Sequence, residues 1–189
     1  MDQLITFDEA AEFLKNPPTL APRSDFSKIR ALCKHITTAL MQLVCPQSQI
    51  QGWAGLAMNP TMYQLLEANT FFIPNNPGDT VVYTQWATPA QMKMADAIFL
   101  CNKNYFLSYK NIHRACFKML DESIQPQYKV SNVNTMTGWN ATMSIRTILE
   151  QLENSYGKPD MMTIHQNDVL FRSPFLSSEA PEMLFYRFE

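Results

Sequence analysis

The side chains with the clearest metal-binding chemistry lie between residues 101 and 116. His113 and Cys116 are three residues apart, on one face of a predicted helix, and Cys101 is close to them in sequence. Thiolate and imidazole groups bind zinc, and three of them can hold a catalytic zinc ion. A structural zinc site needs a fourth ligand, and no C-x-x-C pair supplies one. Buried thiols beside an ordinary histidine are the favoured interpretation, so the sequence predicts no bound metal.

The cysteines are expected to be reduced. Met1–Lys15 contains acidic residues and no long apolar run, so we predict no secretion signal. Free cysteines are among the most buried residue types, and disulfides are rare in reducing compartments. We therefore predict reduced, mostly buried thiols and no disulfide for Cys33, Cys45, Cys101 and Cys116.

The acidic residues and histidines give little support for catalysis. Asp79-Thr80 is followed by Val81, where aspartic proteases have the glycine that lets the backbone turn beneath the catalytic carboxylates. Asp121 and Glu122 are adjacent, and neighbouring helical side chains point about 100° apart, so they do not converge as an acid–base pair. No G-x-S-x-G, phosphate-binding or dinucleotide-binding glycine motif is present. We predict that the protein is not an enzyme and that it binds no cofactor and no small-molecule substrate.

Four basic residues at spacings of seven, four and four form a basic stripe along one predicted helix: Lys103, Lys110, Arg114 and Lys118. The stripe fits three interpretations: the solvated side of an amphipathic helix, a contact with RNA phosphates, or a contact with acidic residues of a neighbouring copy. The net charge is −2 and the sequence pI is about 5.9. This balance argues against a tight, nonspecific nucleic-acid binder, and it does not exclude a local basic face.

The composition favours a protein that contacts other chains. Hydrophobic residues make up 46% of the 189 residues, enough for one domain with a real core. Charged residues make up only 17%, below the usual quarter, so much of the surface must be neutral. No stretch of about 18 apolar residues exists, so we predict no membrane span. These features are typical of an interaction or structural module.

Helical periodicity predicts an all-α fold, a bundle of about seven or eight helices. Residues 69–87 differ, because two apolar, β-prone runs flank a turn-rich segment at 74–79, which fits either a short β-hairpin or an extended loop. Residues 102–104 are a candidate break in the longest helix. The predicted helices cover residues 7–15, 25–44, 49–58, 60–68, 89–122, 142–156, 161–171 and 178 onward.

The helix at 142–156 has one apolar face and is ended by Gly157. We predict that its stripe is buried in the bundle and that a tryptophan just outside its start packs across it. The expected core residues are Trp139, Ile145, Leu149 and Leu152.

The same region carries a resemblance to a known family. GWNATMSIRTILEQLENSYG, residues 138–157, preceded by MLDESIQPQYKV, resembles the Gag polyprotein of copia-type LTR retrotransposons. TLAPRSDFSKIRALCKHITTAL, NDVLFRSPF and EAPEMLFYRFE are similar to the Gag of copia-like elements from diatoms and related algae. The resemblance covers roughly residues 20–187 and rests on extended phrases rather than on one short motif.

The resemblance implies a structural capsid protein that assembles with itself into cytoplasmic virus-like particles around the element's RNA. It implies an N-terminal helix and linker at 1–23, an amino-terminal capsid lobe at 24–172, and a linker with the start of a truncated second lobe at 173–189. RNA would be a weak, nonspecific partner, and no membrane is implied. Zinc-knuckle, protease, integrase and reverse transcriptase motifs are missing, and no catalytic residue carries over from the family.

Two other interpretations stay open. The chain could come from a host gene descended from such a Gag and used as a protein-binding or regulatory module, or it could be an unrecognised helical enzyme. The flanking reading frame separates an active element from a host gene, and particle formation separates both from an enzyme. With a truncated second lobe, the chain is expected to form only small oligomers in exchange with monomers.

Overall fold

The computed structural model describes residues 4–20, 26–48, 50–67, 69–129, 133–134, 138–139, 143–156, 164–165 and 168–169. Within these ranges the fold is all-α, as the sequence predicts, with six α-helices and one short 3-10 helix at Ala54–Leu56. Strands β1 (Val133–Asn134) and β2 (Gly138–Trp139) form one antiparallel pair. The helices are α1 (Phe7–Phe13), α2 (Phe26–Gln42), α3 (Pro60–Leu66), α4 (Pro89–Ser123), α5 (Pro126–Lys129) and α6 (Ile145–Tyr156).

Side-chain caps set the starts of three helices. The Thr6 hydroxyl accepts a hydrogen bond from the Glu9 amide at 3.2 Å at the start of α1. Asn59 caps α3 by accepting from the Thr61 amide at 2.9 Å. Thr88 and Gln91 form a reciprocal capping box on α4, whose first residue is a proline. Each cap satisfies amides that have no partner within the helix, so these starts are readable from local sequence.

One hydrophobic core joins α2, the carboxy-terminal half of α4, and α6. The predicted core residues Ile145, Leu149 and Leu152 are all buried. The fourth, Trp139, lies in β2, and its side chain is outside the described part of the structure.

The segment before α2 shares this core. The Ile5 amide donates to the Ser108 hydroxyl at 2.9 Å, and the Asn111 side chain donates to the Ile5 carbonyl at 2.9 Å. The Leu20 amide donates to the Ser123 carbonyl at 2.9 Å. These bonds fasten α1 and the chain after it along the carboxy-terminal half of α4. The predicted domain boundaries after residues 23 and 172 lie outside the described ranges.

The predicted helix at 49–58 is shorter in the structure, where only Ala54–Leu56 form a 3-10 turn. Gly52 interrupts the helical path at a positive φ of +51°, and a Cβ there would lie 2.4 Å from the Leu43 carbonyl oxygen. Only glycine fits this conformation and this close approach. The turn directs Trp53 into the core, where its indole nitrogen donates to the Val44 carbonyl at 2.9 Å.

The hairpin considered for residues 69–87 is absent, since these described residues contain no strand. Side chains hold this segment instead: the Gln47 side chain accepts from the Phe72 amide at 3.0 Å, and Asn76 accepts from the Gly78 amide at 3.1 Å. The prolines of this segment also have no backbone N–H to donate to a neighbouring β-strand. The paired strands occur later, at residues 133–139.

Helix α4 runs without interruption through residues 102–104, so the candidate break there is wrong. Asparagine and lysine lower helix propensity only slightly, too little to break a long capped helix. The start of α6 lies at Ile145 rather than at residue 142. Of the predicted helix at 161–171 the structure describes only 164–165 and 168–169, which are helical, and the predicted helix from 178 lies outside the described residues.

Candidate interaction surfaces

The amino-terminal part of α4 projects away from the core. The first buried residue of this 35-residue helix is Ser108, and residues 89–100 extend it by about 18 Å at 1.5 Å per residue. None of residues 89–100 is buried, so this part of the helix gains little stability from packing on the core. Four large apolar side chains are exposed along this part: Met92, Met94, Ile98 and Leu100.

The extended segment 69–87 accompanies the projecting helix. The Tyr83 hydroxyl donates to the Asp96 carboxylate of α4 at 2.6 Å, and the Lys103 ammonium donates to the Gly78 carbonyl at 3.2 Å. Both contacts tie the segment to α4 through polar groups, which leaves apolar side chains facing water. The exposed ones are Phe72, Ile73, Val82, Tyr83 and Trp86.

Trp86 stands out within this segment. It occupies the third position of a turn closed by the Ala87 amide, which donates to the Thr84 carbonyl at 3.1 Å. Its φ is +67°, a conformation that such a turn normally reserves for glycine, and its side chain is 90% exposed. A large aromatic residue held in this backbone conformation and facing solvent costs free energy in the isolated chain.

Together, residues 69–100 form a projection that we call the arm. Nine of the large apolar side chains that are exposed among the described residues lie on it, and they come from both the extended segment and the helix. Monomeric soluble proteins rarely expose large contiguous apolar patches, and such patches commonly mark protein–protein contacts. The arm therefore has the properties of an interaction surface.

The basic stripe does not act as one unit. Lys103 is half-buried and lies at the base of the arm, where its ammonium is 3.4 Å from the Asp79 carboxylate and 5.6 Å from the centre of the Phe99 ring. This lysine holds the turn at residues 78–79 against α4. The role of Lys103 therefore differs from that of the other three residues of the stripe.

Lys110, Arg114 and Lys118 are exposed and form what we call the basic face. Arg114 and Lys118 lie 5.6 and 5.8 Å from the centre of the Phe7 ring, so α1 borders this face. Lys118 is also 4.0 Å from the Glu122 carboxylate. Acidic residues in the first turn of α1 lower the positive potential nearby. Such a face suits weak phosphate contacts better than tight binding.

The candidate zinc ligands do not form a site. Cys116 is fully buried, and burial raises the pKa of its thiol to about 12, so the thiol stays protonated. The His113 ring packs between Tyr109 and Phe117, at centroid distances of 5.6 and 4.6 Å. In the described ranges, no three side chains of the metal-binding types come close enough to hold an ion. None of the four cysteines forms a disulfide.

Comparisons with known proteins identify no relative: no family model, no curated protein and no solved structure matches the chain. The described helices also include none with the length and apolar character needed to cross a membrane.

The arm was not among the residues singled out from the sequence. Met92 and Phe99 fall on one helical face, and such periodicity predicts burial against the same chain. In the structure Met92 is exposed and Phe99 is half-buried, so the rest of the chain covers this face only in part. The available signal was the low proportion of charged residues, which predicts neutral surface without locating it.

Proposed function

We propose that this chain is a structural protein that binds copies of itself through the arm, as a capsid domain. The observation that carries the proposal is the exposure of apolar side chains on both parts of the arm, highest at Val82 (89%) and Trp86 (90%). Each such side chain contributes about 1.5–3 kcal/mol when fully buried. A second copy that covers the arm would recover this free energy.

Charge supports a second copy as the partner. A net charge of −2 over 189 residues produces little long-range repulsion between identical chains. The arm itself contains few charges, and two of them already have partners: Asp96 bonds to Tyr83, and Asp79 bonds to Lys103 at the base of the arm. Burial of the arm in a homotypic contact therefore leaves few charges without partners.

The family resemblance supports a particular form of this role. The phrases in α2, α6 and the carboxy-terminal residues are similar to the Gag of copia-type LTR retrotransposons. On that basis the proposed product is an intracellular virus-like particle that encloses the element's RNA, and the proposed role is not enzymatic. The projection of the arm is compatible with a lattice, in which each copy must reach its neighbours.

Matched valine variants test self-association. Val82→Ser removes an exposed methyl pair from the arm, whereas Val44→Ser removes one that is similarly exposed (83%) in the turn after α2. Sedimentation velocity over a range of concentrations should show monomers exchanging with small oligomers for the wild type and for Val44→Ser. The dimer dissociation constant should rise at least tenfold for Val82→Ser, since about 1.4 kcal/mol is tenfold. Adding Trp86→Ser should leave monomers only.

Two outcomes would contradict the proposal. A strictly monomeric wild type at high concentration would remove the capsid role, whatever the variants do. Equal weakening by Val44→Ser and Val82→Ser would show that association does not depend on the arm. Electron microscopy of the same samples gives an independent measure of particle formation.

The basic face gives a separate prediction about RNA. With Lys110→Glu and Arg114→Glu combined, retention of RNA should be lost while oligomers of the protein still form. Three cations that each release a counterion predict a slope of about −2 for log affinity of single-stranded RNA against log salt, with little sequence preference. Lys28→Glu with Lys34→Glu, both exposed on α2, is the matched control. Loss of oligomers without RNA would instead assign the face to a protein contact.

A further inference from the structure

A small pocket of about 160 Å³ lies where α4, the amino terminus of α6 and the base of the arm meet. Its polar lining comes from Tyr109 and His113 on one side and from Ser144 and Arg146 on the other. Phe71 belongs to its apolar wall. Ile73 of the arm also lines it, so the pocket borders the surface proposed for self-association.

Arg146 is a half-buried cation that lacks a matching anion. One of its terminal nitrogens donates to the Gly55 carbonyl, a neutral acceptor. Its Nε is buried and has no hydrogen-bond partner within the described residues. None of the ion pairs in the same ranges includes Arg146. Burying a charge is costly unless the charge is paired and hydrogen-bonded. An anion that binds this guanidinium would reduce that cost.

The position of Arg146 on its helix adds to the excess of positive charge. It is the second residue of α6, and the first turn of that 12-residue helix contains no acidic residue. The amino terminus of a helix carries a partial positive charge from its unpaired amides, which favours anions and opposes cations. A guanidinium at this position is stabilised if an anion lies between it and the helix.

Of the other polar groups of the pocket, the His113 imidazole can donate to an anion, whereas the Ser144 hydroxyl is already engaged with Thr147. Burial lowers the pKa of His113, so its imidazole is neutral and can donate one hydrogen bond. The Ser144 hydroxyl accepts from the Thr147 amide at 3.1 Å and pairs with the Thr147 hydroxyl at 2.8 Å.

We propose that the pocket binds a single phosphate group through the Arg146 guanidinium and the amino terminus of α6. Arginine is suited to this ligand because its planar donors match the geometry of phosphate oxygens. The volume leaves room for one such group and not for a base or sugar beside it. Because Phe71 forms a wall of the pocket, bound phosphate would also hold the base of the arm against α6.

Thermal unfolding of wild type and Arg146→Met, with and without inorganic phosphate, tests the proposal. In chloride buffer the variant should be at least as stable as the wild type, because it removes a half-buried charge that has no ion-pair partner among the described residues. Phosphate should raise the unfolding midpoint of the wild type alone at matched ionic strength, since a ligand stabilises the state that binds it. Equal destabilisation of the variant in both buffers would mean that Arg146 acts only through Gly55, and would overturn the proposal.

Calorimetric titration with inorganic phosphate gives the second readout. The wild type should show one saturable site, weakened at least tenfold in Arg146→Met and unchanged in Arg30→Met, which replaces an exposed arginine of α2 outside the pocket and the basic face. Binding lost in Arg114→Met and kept in Arg146→Met would place the phosphate on the basic face. Absence of a saturable site in the wild type, or tighter binding of acetate than of phosphate, would also overturn the assignment.

Imidazole resonances locate the ligand without a substitution near the pocket. The chain has three histidines, and of these only His113 lines the pocket as described. Its resonances should move on phosphate addition at constant pH, while those of His35 stay; the reverse pattern would sink the proposal. Repeating the titration with a mononucleotide identifies the source of the phosphate. If inorganic phosphate binds as tightly as the mononucleotide or more tightly, the ligand is a free phosphate ion. If inorganic phosphate binds less tightly, the ligand is the terminal phosphate of a larger molecule. Both results support a phosphate site.

Discussion

Trp53→Ala is expected to destabilise the protein by about 3–5 kcal/mol, the usual cost of removing a buried tryptophan side chain. Trp53 is completely buried, and its ring centre lies 5.1 Å from that of Tyr105 and 6.2 Å from that of Phe71. The substitution would also leave the Val44 carbonyl without its 2.9 Å donor. Because Trp53 joins the turn after α2 to α4 and to the base of the arm, no single neighbour can move in to fill its space.

Chemical denaturation measures this loss directly, and thermal unfolding should show a fall of roughly 6–20 °C for a chain of this size. Trp86→Ala is the matched control, since Trp86 is of the same residue type and is 90% exposed. It should change the free energy of unfolding of the monomer by less than about 0.5 kcal/mol, as for other surface substitutions. Similar losses in the two variants would mean that the environments of the two tryptophans are misassigned.

The elements that local sequence specifies were predicted well. Thr6, Asn59 and Thr88 mark helix starts because a cap uses residues next to one another in the chain. The apolar stripe of α6 identified Ile145 and Leu152 as buried, because a 12-residue helix with one apolar face has one way to face a core. These signals do not depend on which element packs opposite.

The features of functional interest depend on distant parts of the chain and were missed for that reason. Periodicity in α4 shows which face is apolar, and it does not show whether another element covers that face. Lys103 is not part of the basic face because it contacts Asp79, 24 residues away in sequence. In the sequence Arg146 is an ordinary helical arginine. Only the structure shows that it contacts the Gly55 carbonyl, 91 residues away.

Two leucines on α6 should differ in how much they contribute to stability. Leu152 is 1% exposed in the core, whereas Leu149 borders an open groove of about 630 Å³ between α2 and α6. Leucine-to-alanine substitutions in cores cost about 2–5 kcal/mol, and the cost rises with the volume of the cavity that remains. Water can enter the space left by Leu149→Ala, while the space left by Leu152→Ala is closed.

We therefore expect Leu149→Ala to lose about 2–3 kcal/mol and Leu152→Ala to lose about 4 kcal/mol, measured by urea denaturation. Leu65→Ala on α3 is the control, since its side chain is 75% exposed and its loss should be near zero. The urea dependence of the unfolding free energy should stay the same in all three variants if the compactness of the two states is unchanged. A loss below about 0.5 kcal/mol for Leu149→Ala would mean that the buried face of α6 is misassigned. The packing that places Arg146 beside Gly55 would then be wrong as well, since both depend on the same rotation of α6 about its axis.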